Sequence, residues 1–449
     1  MSRVAALVLA AGKGTRMRSE RPKVLQTVLG ESMLACLTAS LEPIFGDDIW
    51  MVVGHRAEMI RAAFPAGRFV VQEEQLGTGH ALTLALPVLR NAGYTHVFIV
   101  NGDTPLLAES AVRAFMGRAR GETLAFASIV LDDPGGYGRV VRKGGQVAAI
   151  VEAKDYDAAV HGPESGEVNA GLYLISLDAA ERLLPRLGNA NRSGEYYLTD
   201  IVGLAVAEGI AVCGVACGRD MSLLGVNSPR ELAFAEEVLR RRIVEALMDS
   251  GVIVHAPDMV RASPFVVVKA GAELCGPCEI SGRTLIEEGA RIASHCVIKD
   301  CSIGRGAEIR SFSHLEGALV AKGALVGPYA RLRPGTELAE EAHVGNFVEL
   351  KKARLGRGAK ANHLTYLGDA QIGAGTNIGA GTITCNYDGK HKYQTHIGEN
   401  AFIGSNTALI APVSIGSGAV VGAGSTITKD VPEGNLAISR VKQKTLRKL

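Results

Sequence analysis

What this chain lacks narrows it first. Its 449 residues carry 48 Lys and Arg against 46 Asp and Glu, so no excess of one sign is present to recruit nucleic acid. No apolar run reaches the length of a membrane span. Val4 to Ala11 is short and leads directly into Gly12-Lys13-Gly14, which reads as a buried first strand rather than a leader. The eight Cys do not fall into paired ligand sets. Cys275-Gly-Pro-Cys278 has metal-like spacing, and Cys296 and Cys301 follow, but a second closely spaced pair with His or Cys is missing. Reduced thiols buried as small hydrophobes are expected instead, in a cytoplasmic protein. The one concentrated basic stretch, Lys442, Lys444, Arg447 and Lys448, reads as a solvated terminus.

What is present is a six-residue beat. Val268, Leu274, Ile280, Ile286, Ile292 and Ile298 form one run. Val320, Val326, Leu332, Leu338, Val344 and Leu350 form a second, and Ile397, Ile403, Leu409, Ile415, Val421 and Ile427 a third. A period of six is neither helical nor a simple strand alternation. It marks a hexapeptide β-solenoid, in which each apolar residue points inward and stacks on its copy in the next coil. The 54 Gly suit the tight corners of such a fold, as at Ile397-Gly398 and Ile403-Gly404. The beat slips between Leu350 and Ile372, and again between Ile378 and Ile397 around Cys385-Asn386-Tyr387-Asp388-Gly389. Slips in a solenoid are expected to be loops on one face, and such loops often bind ligands.

The first half differs. Strands are expected at Val4–Leu9, Ile49–Val53, Val97–Val100, Leu124–Val130, Gly171–Ile175 and Ala211–Val215, with helical patterns such as Met33–Leu41 and Ala108–Arg118 between them. That alternation predicts an α/β domain around a mostly parallel sheet. Ser228-Pro229-Arg230-Glu231 then opens a long helix with an N-cap Ser, Pro at the first helical position and an acid at capping-box spacing. Three parts are expected: residues 1–228, a linker helix at 229–250, and the solenoid at 251–449.

Leu9-Ala10-Ala11-Gly12-Lys13-Gly14-Thr15-Arg16-Met17 follows the first strand. A Gly-rich turn there can cradle phosphates on backbone N–H groups, with Lys13, Arg16 and Lys23 adding cations. The Gly-Lys-Ser/Thr ending of a Walker A loop is absent, and so is the third Gly of a dinucleotide fingerprint. Val97-Phe98-Ile99-Val100 runs into Asn101-Gly102-Asp103, which puts a carboxylate at a strand end, where a doubly wound sheet binds ligand. A carboxylate so placed suits Mg²⁺, which keeps waters and bridges phosphates.

These stretches form an ordered set. With Pro22-Lys23 come Gln75-Leu-Gly77-Thr78-Gly-His80-Ala, Gly136-Tyr-Gly138-Arg, Ile150-Val-Glu152, Asn169-Ala170-Gly171, Gly194-Glu-Tyr-Tyr197 and Gly225-Val-Asn227. The solenoid adds Arg331-Leu-Arg333-Pro-Gly335, Gly345-Asn-Phe-Val-Glu-Leu-Lys351-Lys352, His363-Leu-Thr-Tyr366-Leu-Gly-Asp369, Asn377-Ile-Gly-Ala380 through Asn386-Tyr387-Asp388-Gly389, and Ala437-Ile-Ser-Arg440. The whole resembles the bacterial bifunctional enzymes that join N-acetylglucosamine-1-phosphate uridyltransferase to glucosamine-1-phosphate acetyltransferase. The resemblance implies a Rossmann-like nucleotidyltransferase domain followed by a left-handed parallel β-helix, packed as a homotrimer. It implies UTP, acetyl-CoA and glucosamine 1-phosphate as substrates, Mg²⁺ as cofactor, and no nucleic acid or membrane partner.

The resemblance also implies residue roles. Leu9, Ala10, Ala11, Gly12, Gln72, Gly77 and Thr78 surround the uridine nucleotide, with Asn101 and Gly102 beside them. Arg16 and Lys23 face phosphates, and Asp103 and Asn227 hold the metal. Gly138, Glu152 and Asn169 recognise N-acetylglucosamine. Two departures stand out: Asn101 where the family often has an aromatic residue, and Ala170 where it usually has a hydroxyl. One side-chain contact is expected to be lost at each.

In the solenoid, amide formation from a thioester needs an amine stripped of a proton, and His363 can remove it. Arg333 and Lys351 can meet a sugar phosphate. By resemblance His363 is the base, and Arg333, Lys351, Tyr366 and Asn377 hold glucosamine 1-phosphate. Ala380, Asn386, Tyr387, Ser405, Ala423 and Arg440 line the acetyl-CoA site. Two other readings fit the fold: a scaffold whose halves only bind and oligomerise, and an enzyme with one live half. Neither needs Lys23, Asp103, Asn227 and His363 all intact.

Overall fold

The alternating apolar strands of the first half assemble into one nine-stranded sheet. The structure is a computed structural model describing residues 3–446; Arg447 and Lys448 of the basic stretch lie outside them. Val4–Leu9 is central. It pairs in parallel with Ile49–Val53 on one side and His96–Asn101 on the other. Arg68–Val71 extends the first side. On the second, Glu167–Ser176 runs antiparallel between His96–Asn101 and Leu124–Val130, and Val212–Ala216 closes the edge in parallel. A hairpin of Arg139–Lys143 and Gln146–Val151 hangs from Glu167–Ser176.

Both faces of the central strands are buried. Ala6, Val8, Phe98 and Val100 pack into one core layer, while Ala5, Leu7, Val97 and Ile99 pack into the other. That is why these strands read as unbroken apolar runs. Truncating fully buried Leu7 to Ala should cost about 2–5 kcal/mol.

The chain divides into two compact units, Met1–Val238 and Leu239–Leu449, and the boundary falls inside the helix Pro229–Asp249. Its start is capped as the sequence predicts. Ser228 Oγ accepts from the Glu231 N–H (3.2 Å), and the Ser228 hydroxyl donates to Glu231 Oε1 (2.8 Å). At its other end Val244 is buried in the core of the second unit.

That unit is three long parallel sheets wound as coils of three strands. Glu273 pairs with Arg291, Arg291 with Glu308, and Glu308 with Leu325, so each coil spends three hexapeptides, some of them trimmed at a corner. Ile280, Ile298, Leu315, Leu332, Leu350 and Leu367 stack in register as one fully buried column. At Gly404 the small residue is required by contact rather than by φ, since a Cβ there would lie 2.4 Å from the Ala423 nitrogen of the next coil.

The two slips in the beat differ. Between Leu350 and Ile372 no loop projects. His343 pairs with Lys360 and Lys360 with Asn377, so these coils are ordinary ones trimmed at one corner. Between Ile378 and Ile397 the excursion is real. Asn377 pairs with Phe402, a far longer step, and residues 386–394 leave the coil through a Tyr387–Lys392 bridge. Asp388 Oδ1 ties its tip by accepting from the N–H groups of Lys390 (2.8 Å) and His391 (2.6 Å). At another corner His295, Phe312, Tyr329 and Phe347 stack in successive coils, with ring centroids 4.6, 4.9 and 5.3 Å apart. All four have positive φ, as does Leu364 one coil further on.

Candidate active sites

The order of the first sheet makes a site at the end of Val4–Leu9. Neighbouring strands lie on both sides of it, so the crossovers diverge and leave a crevice beyond its C-terminal end. The crevice holds about 560 Å³. Leu9, Ala10, Ala11, Gly12, Lys23, Gln72, Gly77, Thr78, Asn101 and Asp103 line it, so these residues, scattered in the sequence, come together. Gly102 closes its floor by donating its N–H to the Leu9 carbonyl (2.9 Å). Gly77 has φ +110°, and a Cβ there would meet the Tyr196 carbonyl at 2.5 Å, so the wall closes only with Gly. Gln72 Nε2 donates to the Gly77 carbonyl (3.0 Å) and lies 3.1 Å from His80 Nδ1, which fixes its amide within the wall.

Two loops far apart in sequence bring the charged groups together. Lys23 Nζ donates to Asp103 Oδ2 and to Asn227 Oδ1 (3.1 Å), and Arg16 reaches the same Asn227 oxygen at 2.9 Å. The other oxygen of Asp103, Oδ1, is buried without a hydrogen-bond partner. Gly225 faces it. A Cβ at residue 225 would lie 2.7 Å from Oδ1, so the glycine leaves open the space in front of an unused carboxylate oxygen. Asn227 is held from behind: its N–H donates to Glu231 Oε2 (2.8 Å), the same carboxylate that caps the long helix.

Gly138, Glu152 and Asn169 form a neighbouring patch. The Asn169 N–H donates to the Gly138 carbonyl (2.8 Å), and a Cβ at Gly138 would press on Ile150 (3.2 Å) and touch the Glu152 carboxylate (3.5 Å). Burial raises the pKa of Glu152, Asp155 and Glu195 raise it further, and the Thr199 hydroxyl, donating at 2.9 Å, opposes them. Asp200 nearby is pushed up to about 6 by burial and then by Glu152 and Asp155. Of the two departures, Asn101 lies against bare Gly171 at the crevice wall. Ala170 points into the core, so its missing hydroxyl takes nothing from the crevice. Thr199 and Gly225 were not legible as partners, because each acts on a group far off in the sequence, Glu152 and Asp103 respectively. Glu231 was legible as a helix cap and not as the support of Asn227.

In the solenoid, coil register assembles the second constellation. Asn346 pairs with His363, and the same register carries the column to Ala380, Ser405 and Ala423. The Asn406 N–H donates to the Ala380 carbonyl and the Gly424 N–H to the Ser405 carbonyl, while the Arg440 guanidinium caps the Ala423 carbonyl. His363 Nδ1 lies 2.8 Å from Asn346 Oδ1. Arg333 and Lys351 stand in register on the adjoining sheet, and Arg333 donates to Glu349 Oε1 (3.0 Å). Lys392, from the excursion, crowds Lys351 and holds its ammonium below the usual lysine range; Arg333 adds to this and Asp369 opposes it. Bare Gly368 lets the Tyr366 hydroxyl fold toward that column, since a Cβ would lie 2.4 Å from it. Asn386 donates to Asp369 at the root of the excursion, and Tyr387 stands on it, half-exposed. Asn377 lies on the strand that leads into Ala380's corner and pairs with Lys360. Sequence reasoning missed Asn346 and Lys392, since only the trimmed coil and the folded-back excursion reveal their neighbours.

Of the cysteines, Cys278, Cys296 and Cys301 are buried as expected, and burial pushes their thiols up to about 12, 11 and 11. Cys275 is not; it faces outward and is only half-buried.

Residues 6–170 match the family model of the MobA-like NTP transferase domain, and residues 394–429 match the hexapeptide repeat of succinyl-transferase. The chain is therefore a nucleotidyltransferase joined to a hexapeptide-repeat acyltransferase. It is 61% identical over 447 residues to the bifunctional protein GlmU of Nitratidesulfovibrio vulgaris Hildenborough, covering 99% of this chain and 98% of that protein. It is 56% identical to that of Oleidesulfovibrio alaskensis (99% and 97% covered) and 46% identical to that of Lawsonia intracellularis (99% and 98%). The chain belongs to the GlmU family: it is a bifunctional enzyme with acetyltransferase and uridyltransferase activities, and its solenoid is the left-handed hexapeptide β-helix. Its substrates are small molecules, and nucleotidyl transfer of this kind requires a divalent metal. Among the described residues no helix is long and apolar enough to cross a membrane.

Proposed function

We propose that residues 251–449 acetylate glucosamine 1-phosphate from acetyl-CoA, and that residues 1–228 then transfer uridylyl from UTP to the product, with 229–250 as the linker helix. The observation that carries the first-domain assignment is that Lys23 bridges Asp103 and Asn227, with Arg16 on the same Asn227 oxygen, while the free buried oxygen of Asp103 faces the gap left by Gly225. An unused carboxylate oxygen, and an amide oxygen joined to the same carboxylate through Lys23, are hard donors of the kind that fits Mg²⁺. Asp103 and Asn227 would hold the ion, which when bound supplies charge neutralisation at the phosphates.

The chain's own groups supply the rest. Leu9 to Gly12, Gln72, Gly77 and Thr78 seat the nucleoside, with Asn101 and Gly102 at the wall. Gly138, Glu152 and Asn169 seat the sugar. A phosphate oxygen of the sugar attacks the α-phosphorus of UTP, and pyrophosphate leaves. That oxygen is already ionised, so no general base is needed. Arg16 and Lys23 turn from the Asn227 oxygen to the phosphates, and catalysis is positioning and charge compensation.

In the solenoid, the Asn346 oxygen accepting from Nδ1–H leaves the Nε2 lone pair of His363 to take the amine proton. The amine attacks the thioester carbonyl carbon and the coenzyme A thiolate departs. Arg333, Lys351, Tyr366 and Asn377 hold the sugar phosphate. Ala380, Ser405, Ala423 and Arg440 continue the His363 column as the acetyl-CoA track, with Asn386 and Tyr387 beside it. The half-exposed ridge of Phe312, Tyr329, Phe347 and Leu364 next to His363 supports a homotrimer that covers it. Eight free thiols and cytosolic substrates support a cytoplasmic enzyme. The test is direct: glucosamine 1-phosphate, acetyl-CoA, UTP and Mg²⁺ should together yield UDP-N-acetylglucosamine, and omission of acetyl-CoA should stop it.

A further inference from the structure

The spacing Cys275-Gly-Pro-Cys278 does not converge. Cys278 faces the solenoid interior at 3% exposure, whereas Cys275 faces out. The partners of Cys275 come from elsewhere. His255, on the first strand of the solenoid, is its cross-strand neighbour. Glu273 lies on the same strand as Cys275 with Leu274 between them, so both project from the same outer face. His255 Nε2 is 3.0 Å from Glu273 Oε1, Cys275 Sγ is 3.8 Å from the same oxygen, and the three donor atoms lie within 4.8 Å of one another.

Those separations can be compared with a metal's demands. Bonds of about 2.0 Å to oxygen, 2.1 Å to nitrogen and 2.3 Å to sulfur at tetrahedral angles set an O···N edge of about 3.3 Å and an O···S edge of about 3.5 Å. Both observed edges are within a few tenths of an ångström of these values, and the third, from His255 to Cys275, is no longer than 4.8 Å against about 3.6 Å for a tetrahedral ion. The donors stand on paired strands of a rigid stack. One nitrogen, one sulfur and one carboxylate oxygen form a borderline-soft set that suits Zn²⁺ and not Mg²⁺. We propose that His255, Glu273 and Cys275 bind one Zn²⁺, with water as the fourth ligand.

Charge and protons balance. The Cys275 thiol gives its proton to solvent as the S–Zn bond forms, and the Nε2 proton now shared with Glu273 leaves to solvent while Nδ1 keeps or takes one, so that a neutral ring offers the Nε2 lone pair; thiolate and carboxylate offset the two positive charges. Arg291 now leans on Glu273 (3.3 Å), but it also reaches Glu308 (3.9 Å), which can take it over when Glu273 turns to metal. None of the three donors belongs to either catalytic constellation. The site clips the first coil, Ile253–His255, to the second, Glu273–Cys275, at the end of the solenoid where no coil precedes.

The experiment uses full-length protein stripped of metal by a chelator and titrated with Co²⁺. The Asp103 and Asn227 ligands carry no sulfur, so only a cysteine-containing site gives a sulfur-to-cobalt charge-transfer band. The band should saturate at one Co²⁺ per chain and disappear when one equivalent of Zn²⁺ is added. Cys275→Ser should abolish it, and His255→Ala should weaken Co²⁺ binding at least on the order of 10-fold. Zn²⁺ should raise the Tm of wild type and not that of Cys275→Ser. Both enzyme activities, measured in each variant, report that it is folded. No charge-transfer band in folded wild type, or an unchanged band in Cys275→Ser, would overturn the site and leave His255, Glu273 and Arg291 as a surface ion-pair network.

Discussion

Glu231 caps the long helix and holds Asn227 with the same carboxylate: Oε1 accepts from the Ser228 hydroxyl and Oε2 from the Asn227 N–H, each at 2.8 Å. A helix start thereby fixes one of the two proposed metal ligands. Glu231→Ala should raise the Mg²⁺ concentration for half-maximal uridylyl transfer by on the order of 10-fold. The Ser228 cap on the backbone N–H of residue 231 survives, so stability should fall by no more than about 1 kcal/mol. Acetyl transfer should be unchanged. Mg²⁺ titrations of both activities check this, and an unmoved Mg²⁺ midpoint would detach the cap from the metal.

Asp103 is the carboxylate of the proposed metal pair, with one oxygen on Lys23 and the other buried and free. Asp103→Asn should nearly abolish uridylyl transfer and leave acetyl transfer intact. Ordinary Mg²⁺-dependent uridylyl transfer by this variant would refute the assignment.

The sugar patch has a pH signature. Glu152 accepts hydroxyl groups best as a carboxylate, and burial and Asp155 both raise its pKa. KM for N-acetylglucosamine 1-phosphate should therefore rise, as pH falls, while the pH is still above the ordinary glutamate range. Asp155→Asn removes one raising charge, so that limb should move to lower pH. Titration of the sugar phosphate itself is common to both proteins and cancels in the comparison. Superimposable KM profiles would contradict the role of Glu152.

In the solenoid, Lys351→Met should raise KM for glucosamine 1-phosphate by on the order of 10- to 100-fold, the worth of a hydrogen bond to a charged group. KM for acetyl-CoA should hardly move. Asn346→Ala should lower kcat for acetyl transfer by freeing the His363 ring, less severely than His363→Ala, for which on the order of 10²–10⁴ is expected. An Asn346→Ala variant as slow as His363→Ala would give Asn346 more than an orienting part.

The solenoid was legible because an inward apolar residue recurs every six over three long runs, whereas the column from Ile280 to Leu367 steps by 18 or 17 residues and its trimmed coils are not written in that beat. The crevice was legible because Leu9–Met17 and Asn101–Asp103 both end parallel strands beside the sheet's switch point. Partners across coils were not. Asn346 and His363 meet because this coil is trimmed at a corner, and nothing local to either residue states that length. Lys392 reaches Lys351 only when the excursion at 386–394 folds back. The Cys275 spacing pointed to the wrong partner, since strand alternation sends Cys275 out, where His255 and Glu273 are its neighbours, and Cys278 lies in the core.

The central claim, two separate catalytic sites in one chain, is tested most directly by mixing two crippled proteins. His363→Ala should make UDP-N-acetylglucosamine from N-acetylglucosamine 1-phosphate and UTP but not from glucosamine 1-phosphate. Asp103→Asn, given glucosamine 1-phosphate, acetyl-CoA and UTP, should stop at N-acetylglucosamine 1-phosphate. The two folded variants in one tube should together complete the conversion. Full conversion by either variant alone, or no product from the mixture, would contradict it.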